Sequence, residues 1–158
     1  MLGWPQEFQF FNMTKRRTAG LLPYYRNNSN TYVYLQRRTT DAPTSPGKLS
    51  LFGGGLEGDE TPEEALVREI AEELQYNLTT WDFLTLQETS SQILSAFTVE
   101  VTEDFDNNVT VCEGERGEFL SLSMYNERSD LTDDLRIVLE IFSKQEKEWI
   151  RTPVSDTF

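Results

Sequence analysis

The chain has no histidine and only one cysteine, Cys112, among its 158 residues. Without histidine it can form neither a Ser-His-Asp triad nor a histidine-based zinc site, and a catalytic thiol would lack its usual activating base. A single cysteine also excludes an internal disulfide and fits a reducing compartment. We therefore expect a cytoplasmic protein whose chemistry rests on other side chains.

Long apolar runs and an excess of positive charge are also missing. No stretch approaches the roughly 20 apolar residues of a membrane span, and the first residues lack the basic start of a signal peptide. The formal net charge of −13 argues against a nucleic-acid backbone as partner and would repel an anionic nucleotide unless a cation bridged the two. We expect no membrane and no nucleic-acid partner, and either a monomer or a homodimer.

The residues that are present predict one domain over residues 1–158, with 152–158 as a frayed tail. Alternating apolar residues predict strands, and Pro23 places one of them at an edge or a bulge. Capping residues predict two long helices that begin after Thr61 and Thr132. The segment at 39–48 is a polar, mobile loop by composition. The predicted strands cover residues 7–13, 18–25, 31–37, 49–52, 81–88, 92–101, 109–111 and 119–122.

A glycine-rich turn at 53–55 followed by an acidic amphipathic helix is the most informative stretch. Glu69, Glu72 and Glu73 stand at relative positions 0, 3 and 4, so their side chains share one helical face. Like charges at this spacing weaken a helix unless something cancels them, and a hard divalent cation such as Mg²⁺ prefers such oxygen ligands. A solvated acidic face is the ordinary alternative. The adjacent Arg68 and the preceding glycines count against it.

The same residues resemble the Nudix box, whose pattern is G-x5-E-x7-R-E-U-x-E-E-x-G-U with U an aliphatic residue. Two positions depart, because Gln75 stands where the family has glycine and Tyr76 where it has an aliphatic residue. Gln75 puts the usual left-handed stop of the helix in doubt. The matching positions are Gly54, Glu60, Arg68, Glu69, Ile70, Glu72 and Glu73.

The resemblance implies an α/β fold, a Nudix-type α/β/α sandwich with a mixed β-sheet between helices. It also implies a site for Mg²⁺, with Mn²⁺ as an alternative. Arg68 would hold a neighbouring carboxylate in place together with Glu60. The general base would be Glu73 or a glutamate from a later loop. The implied metal ligands are the carboxylates of Glu69, Glu72 and Glu73 and the backbone carbonyl of Gly53.

The later loop offers Glu113, Glu115 and Glu118, and we favour Glu113 because a Glu-Gly pair before an aromatic strand resembles the family arrangement. An exposed acidic loop is the alternative for each of the three. In such enzymes a basic residue near the end of the second strand often faces the substrate phosphates. Here that would be Arg37 or Arg38, unless both are ordinary charges at a strand end.

The backbone at Gly54 and Gly55 is expected to approach the substrate, because three successive glycines leave room for a close contact. Side motifs of several Nudix subclasses are missing, which leaves the short, MutT-like type. That type implies hydrolysis of a nucleoside triphosphate to a monophosphate and pyrophosphate. The alternatives are a nucleotide-sugar hydrolase and a Nudix module that senses a nucleotide without cleaving it.

Overall fold

The computed structural model describes residues 15–152. Within them, seven strands form one mixed sheet and two long helices cover its two faces. The predicted strand at 7–13 and the tail at 153–158 lie outside the described residues. The elements are β1 (Arg16–Asn27), β2 (Asn30–Arg37), β3 (Leu49–Ser50), β4 (Phe52–Gly55), α1 (Pro62–Leu74), β5 (Asp82–Glu88), β6 (Gln92–Glu100), α2 (Phe105–Asn108), β7 (Arg116–Ser121), a 3₁₀ helix (Leu122–Glu127) and α3 (Asp133–Arg151).

Strand β1 is the centre of the sheet. It pairs in parallel with β6 on one side and antiparallel with β4 and then β2 on the other. The prediction that Pro23 marks an edge or a bulge is therefore wrong. Pairing with β4 ends at Leu21 and pairing with β2 begins at Tyr24, so Pro23 lies where the strand changes partner. The missing N–H of proline is tolerated there because that side offers no ladder partner.

The two faces of the sheet carry separate cores. Along β6 the side chains alternate, with Leu94 and Ala96 in the core under α3, and Phe97 and Val99 in the core under α1. This period of two is the one that the sequence predicts for a strand buried on both faces. The hairpin of β5 and β6 is likewise confirmed as antiparallel.

Helix α1 begins and ends at defined caps. The hydroxyl of Thr61 accepts a hydrogen bond from the backbone N–H of Glu64, and Pro62 takes the first helical position. The helix ends at Gln75, which adopts the left-handed conformation (φ 49°, ψ 40°) and donates its N–H to the carbonyl of Ala71. The doubt about the left-handed stop is thus answered, because glutamine occupies that geometry itself. The neighbouring Tyr76 packs edge-on against Phe105.

The segment at 109–111 is not the strand that the sequence predicts. Its direction is set by the end of α1, whose last carbonyls lack partners within the helix. The N–H of Thr110 donates to the carbonyl of Leu74 (3.0 Å), and the N–H of Cys112 donates to that of Glu73 (2.7 Å). These two bonds carry the chain past the acidic helix, so that Glu113 follows directly beside Glu73.

Helix α3 is confirmed, with Thr132 accepting from the N–H of Leu135 as its cap. Its buried stripe contains the four residues that the sequence predicts, Leu135, Val138, Leu139 and Phe142. No helix within residues 15–152 combines enough length with enough apolar character to cross a bilayer.

Replacing Gln75 with glycine should raise the free energy of unfolding by up to about 1 kcal/mol, since glycine has no Cβ to strain in the left-handed region. Urea denaturation measures the change. Ala71→Gly, an exposed position inside the same helix, is the control and should lose about 1 kcal/mol. Equal losses in the two variants would show that the conformation of Gln75 carries no strain.

Candidate active site

A cleft of about 1010 Å³ opens between the glycine turn, the acidic helix α1 and the first turn of α3. Its walls combine opposite charges. Glu69, Glu73 and Glu113 line it on one side. The cations Arg16 and Arg38 also line it, as do the hydroxyl groups of the loop at 89–91.

The glycine turn lies close to the backbone of β1 and to a side chain of α1. Gly53 has φ of 136°, and a Cβ built on it would lie 2.0 Å from the carbonyl oxygen of Ala19. A Cβ on Gly54 would lie 2.6 Å from the carboxyl carbon of Glu69. No larger residue fits at either position without moving β1 or the acidic side chain. The glycines therefore allow β4 to lie directly against the face of α1 that carries the glutamates.

Glu73 is the most deeply buried of these acids, with 4% of its surface exposed. Its Oε2 accepts a hydrogen bond from the N–H of Gly53 at 2.9 Å. Burial raises the pKa of Glu73 to about 9, and the neighbouring carboxylates of Glu113 and Glu69 add to the rise, while the Gly53 N–H opposes it. A negative charge on Glu73 is thus disfavoured unless a cation compensates it.

Arg68 organises the other acids of the helix. Its Nε donates to Glu60 at 2.7 Å and its Nη1 to Glu69 at 2.9 Å, while Nη2 donates to the carbonyl of Gly55. The hydrogen bonds from Arg68 lower the pKa of Glu60 to about 2. Glu72 is not among the residues that line the cleft; 60% of its side chain is exposed, and one carboxylate oxygen lies 3.6 Å from Arg68. The guanidinium therefore fixes Glu60 and Glu69 relative to the glycine turn.

The structure separates the three glutamates of the later loop. Glu115 pairs with Arg116, and Glu118 pairs with Arg37 and Arg116. Glu113 instead lines the cleft, and its charge acts on Glu73. This arrangement favours Glu113, which remains a prediction as a catalytic residue.

The two arginines at the end of β2 differ in position. Arg38 lines the cleft, and its guanidinium braces the adjoining loop by donating to the carbonyl of Thr44 at 2.9 Å. The side chain of Arg37 is turned to Glu118 and Asp130, away from the residues that line the cleft. Of the pair, only Arg38 lies among the residues that line the cleft, and its contact with phosphate stays a prediction.

Arg16 and Thr18 are among the cleft residues that were not predicted from the sequence. Arg16 lies over Gly55, where a Cβ would be 3.0 Å from its Nε; the basic run at 15–17 was a signal for it. Thr18 lines the cleft with a buried hydroxyl that has no hydrogen-bond partner within residues 15–152. Nothing in the sequence marks this threonine, because its burial depends on the pairing of β1 with β4 and β6.

The donor set fits a hard divalent cation, although no three acids within residues 15–152 are gathered around one point in this conformation. The glutamates of α1 lie apart because Arg68 holds Glu69 and the exposed side chain of Glu72 extends outward. The fit rests on Glu73, because a buried carboxyl surrounded by further carboxylates is stabilised by a nearby cation. All the expected ligands are oxygens, and Gly53 lies in the cleft wall.

The sequence matches a known domain family over most of its length. The NUDIX domain family model matches residues 14–140. The chain is similar to the 8-oxo-dGTP diphosphatase of Escherichia coli (strain K12), with 45% identity over 47 residues, which is 30% of this chain and 36% of that protein. The matched part of this curated relative is thus little more than a third of its length.

Solved structures show the same fold. The MutT protein from Methanosarcina mazei Go1 has a TM-score of 0.67 at 22% identity, over 84% of this chain and 96% of that one. The NUDIX domain of Shewanella oneidensis NrtR complexed with ADP ribose has a TM-score of 0.65 at 15% identity, over 83% and 88% of the two chains. These likenesses confirm the predicted α/β fold with a mixed sheet between helices.

The pKa of Glu73 predicts an unusual dependence of stability on pH in the presence of a chelator. Its pKa is about 9 in the folded protein, above the ordinary 4.5, so the folded protein keeps a proton that the unfolded chain loses. The free energy of unfolding is therefore highest below pH 4.5 and falls as the pH rises to about 9. Glu73→Gln removes this loss. At about pH 9 its thermal midpoint should exceed that of the unchanged protein by roughly 2–6 °C, with little difference near pH 5.

Glu72→Gln is the matched control, since it removes a charge from an exposed position one residue away. Its thermal midpoint should follow that of the unchanged protein at both pH values. A Glu73→Gln midpoint below that of the unchanged protein at about pH 9 would contradict the assignment of a buried, electrostatically strained carboxyl.

Proposed function

The chain belongs to the NUDIX domain family, and on that premise we propose that it is a Mg²⁺-dependent hydrolase of nucleoside diphosphate-linked compounds. The substrate that we favour is a nucleoside triphosphate, cleaved to a monophosphate and pyrophosphate. The observation that carries the proposal is the buried carboxyl of Glu73, held by the Gly53 N–H and flanked by two more carboxylates. A cytoplasmic location is part of the same proposal.

The metal would be held by the carboxylates of Glu69, Glu72 and Glu73 and the carbonyl of Gly53. When bound, Mg²⁺ or Mn²⁺ neutralises phosphate oxygens and acidifies water. The residues around it have supporting roles. Arg68 keeps Glu60 and Glu69 in place through hydrogen bonds of 2.7–2.9 Å.

The proton of the attacking water needs an acceptor within hydrogen-bond reach. Glu73 and Glu113 are the two candidates, because both line the cleft. Glu73 is buried with a raised pKa, and Glu113 is exposed. Arg16 and Arg38, which also line the cleft, would supply the positive charge that phosphate oxygens require.

The choice of substrate rests on two features. The similar E. coli protein is an 8-oxo-dGTP diphosphatase, which supports a nucleoside triphosphate. A cleft of about 1010 Å³ is large enough for a whole nucleotide. A nucleotide sugar is the second candidate, favoured by the NrtR domain that was crystallised with ADP ribose. A module that only senses a nucleotide has no need of the complete set of acids that this chain carries.

Small nucleotides are the proposed partners. A nucleic-acid backbone is disfavoured by the net charge of −13. The protein is proposed to work as a monomer or a homodimer.

A substrate panel tests the activity directly. With Mg²⁺ we expect the protein to release pyrophosphate or a monophosphate from at least one compound among canonical and oxidised deoxynucleoside triphosphates, nucleotide sugars and dinucleotides. A chelator should abolish the release. Tight nucleotide binding without any turnover across the panel would overturn the hydrolase and leave the sensing module.

Glu113→Gln should lower kcat by about 10²-fold or more, because a proton acceptor or metal ligand is lost from the cleft. Glu115→Gln is the matched control, two residues away and paired with Arg116 outside the cleft, and should keep its rate. Glu73→Gln should likewise lose orders of magnitude while remaining folded. Near-normal turnover in Glu113→Gln would remove that residue from the mechanism, and the same result in Glu73→Gln would remove the buried acid.

A further inference from the structure

The end of β2 holds an arginine whose side chain joins three separate segments. Arg37 Nη1 donates to the carbonyl of Gly47 at 3.0 Å and to Asp130 at 2.8 Å. Its Nε and Nη2 donate to the carboxylate of Glu118 on β7. Only 13% of this side chain is exposed. One guanidinium therefore connects the loop at 39–48, strand β7 and the approach to α3.

The carbonyl of Gly47 is the important contact, because it belongs to the loop that carries cleft residues. Pro43, Thr44 and Ser45 of this loop line the cleft, as does Arg38 at its start. Within the loop, the N–H of Gly47 donates to the carbonyl of Thr39. Gly47 thus joins the internal bonding of the loop to a side chain of the sheet, next to the backbone bond from the Arg38 N–H to the Lys48 carbonyl.

The geometry suits arginine in particular. Two carboxylates and one carbonyl surround the guanidinium, and its planar fork can donate to all three at once. A lysine would bring the same charge as a single point and could not span them. Both carboxylates have a second cation, Arg116 for Glu118 and Arg128 for Asp130. The charges of the two carboxylates are therefore balanced in part without Arg37.

We propose that Arg37 is a positioning residue that fixes the loop at 39–48, and with it Arg38, on the wall of the cleft without touching the substrate. The inference rests on the proposed function of that cleft. Loss of the fork frees the loop at Gly47, and the phosphate-facing wall then has to be ordered during binding. The chemical step should be unaffected, because Glu73 accepts from the Gly53 N–H and the carbonyl of Glu113 accepts from the side chain of Gln36.

Arg37→Met keeps the length of the side chain and removes the fork. We expect KM for the best substrate of the panel to rise about tenfold while kcat changes less than about twofold, the pattern of lost binding without lost chemistry. Arg128→Met is the matched control, because Arg128 binds the same Asp130 but, in the part of the chain that the structure describes, makes no hydrogen bond to the loop. Its KM should not change. A KM that rises equally in both variants, or a fall confined to kcat, would overturn the proposal.

Amide hydrogen exchange supplies a measurement that needs no activity. In Arg37→Met the amides at 39–48 should exchange faster by about tenfold, while those of α1 keep their rates; in Arg128→Met both should be unchanged. Arg37→Lys covers the case in which the methionine variant fails to fold, and should accelerate the same amides. Unchanged loop exchange in a folded Arg37 variant would overturn the clamp. Absence of hydrolysis by the unchanged protein would instead count against the proposed function.

Discussion

The hydrogen bond from the Gly53 N–H to the carboxyl of Glu73 joins the two elements on which the site depends. It connects β4 to the last turn of α1 at 2.9 Å, and it does so with 4% of the glutamate exposed. A buried carboxyl is stabilised only when hydrogen bonds or nearby cations compensate for lost hydration. Here one N–H does part of this, and the pKa of Glu73 remains raised to about 9. The fold thus disfavours a negative charge on Glu73 unless a cation lies close to it.

Arg68 compensates the negative charge of the acids that surround the glycine turn, apart from Glu73. By binding Glu60 and Glu69 it neutralises part of the charge on α1, but its guanidinium makes no hydrogen bond to Glu73 among the described contacts. Arg68 therefore offsets charge repulsion along the helix, and the most buried acid, Glu73, keeps the Gly53 N–H as its hydrogen-bond donor among residues 15–152. The end of α1 adds Glu113 through the bond from the Cys112 N–H to the Glu73 carbonyl. Helix, glycine turn and later loop meet at the same carboxyl.

Much of this fold was predictable, because strand alternation, helix caps and motif spacing are local properties of the sequence. The errors arose where distant segments decide the outcome. Pro23 is tolerated in a central strand because β1 changes partner there, which no local pattern reveals. The segment at 109–111 follows the open carbonyls of α1 instead of a sheet edge. Arg37 is turned from the cleft by Glu118 and Asp130, which lie more than 80 residues away in the chain.

The burial of Glu73 beside the exposed Glu72 also depends on a segment that is distant in the sequence. Successive residues of an α-helix are turned about 100° apart, and the depth of each side chain depends on where β4 crosses the helix. Three glycines let β4 approach closely, so the glutamate nearest to Gly53 is buried and its neighbour remains exposed. For a protein of net charge −13, this division has a consequence. Exposed acids repel an anionic nucleotide from every side, whereas a buried acid can hold a cation that attracts its phosphates to one place.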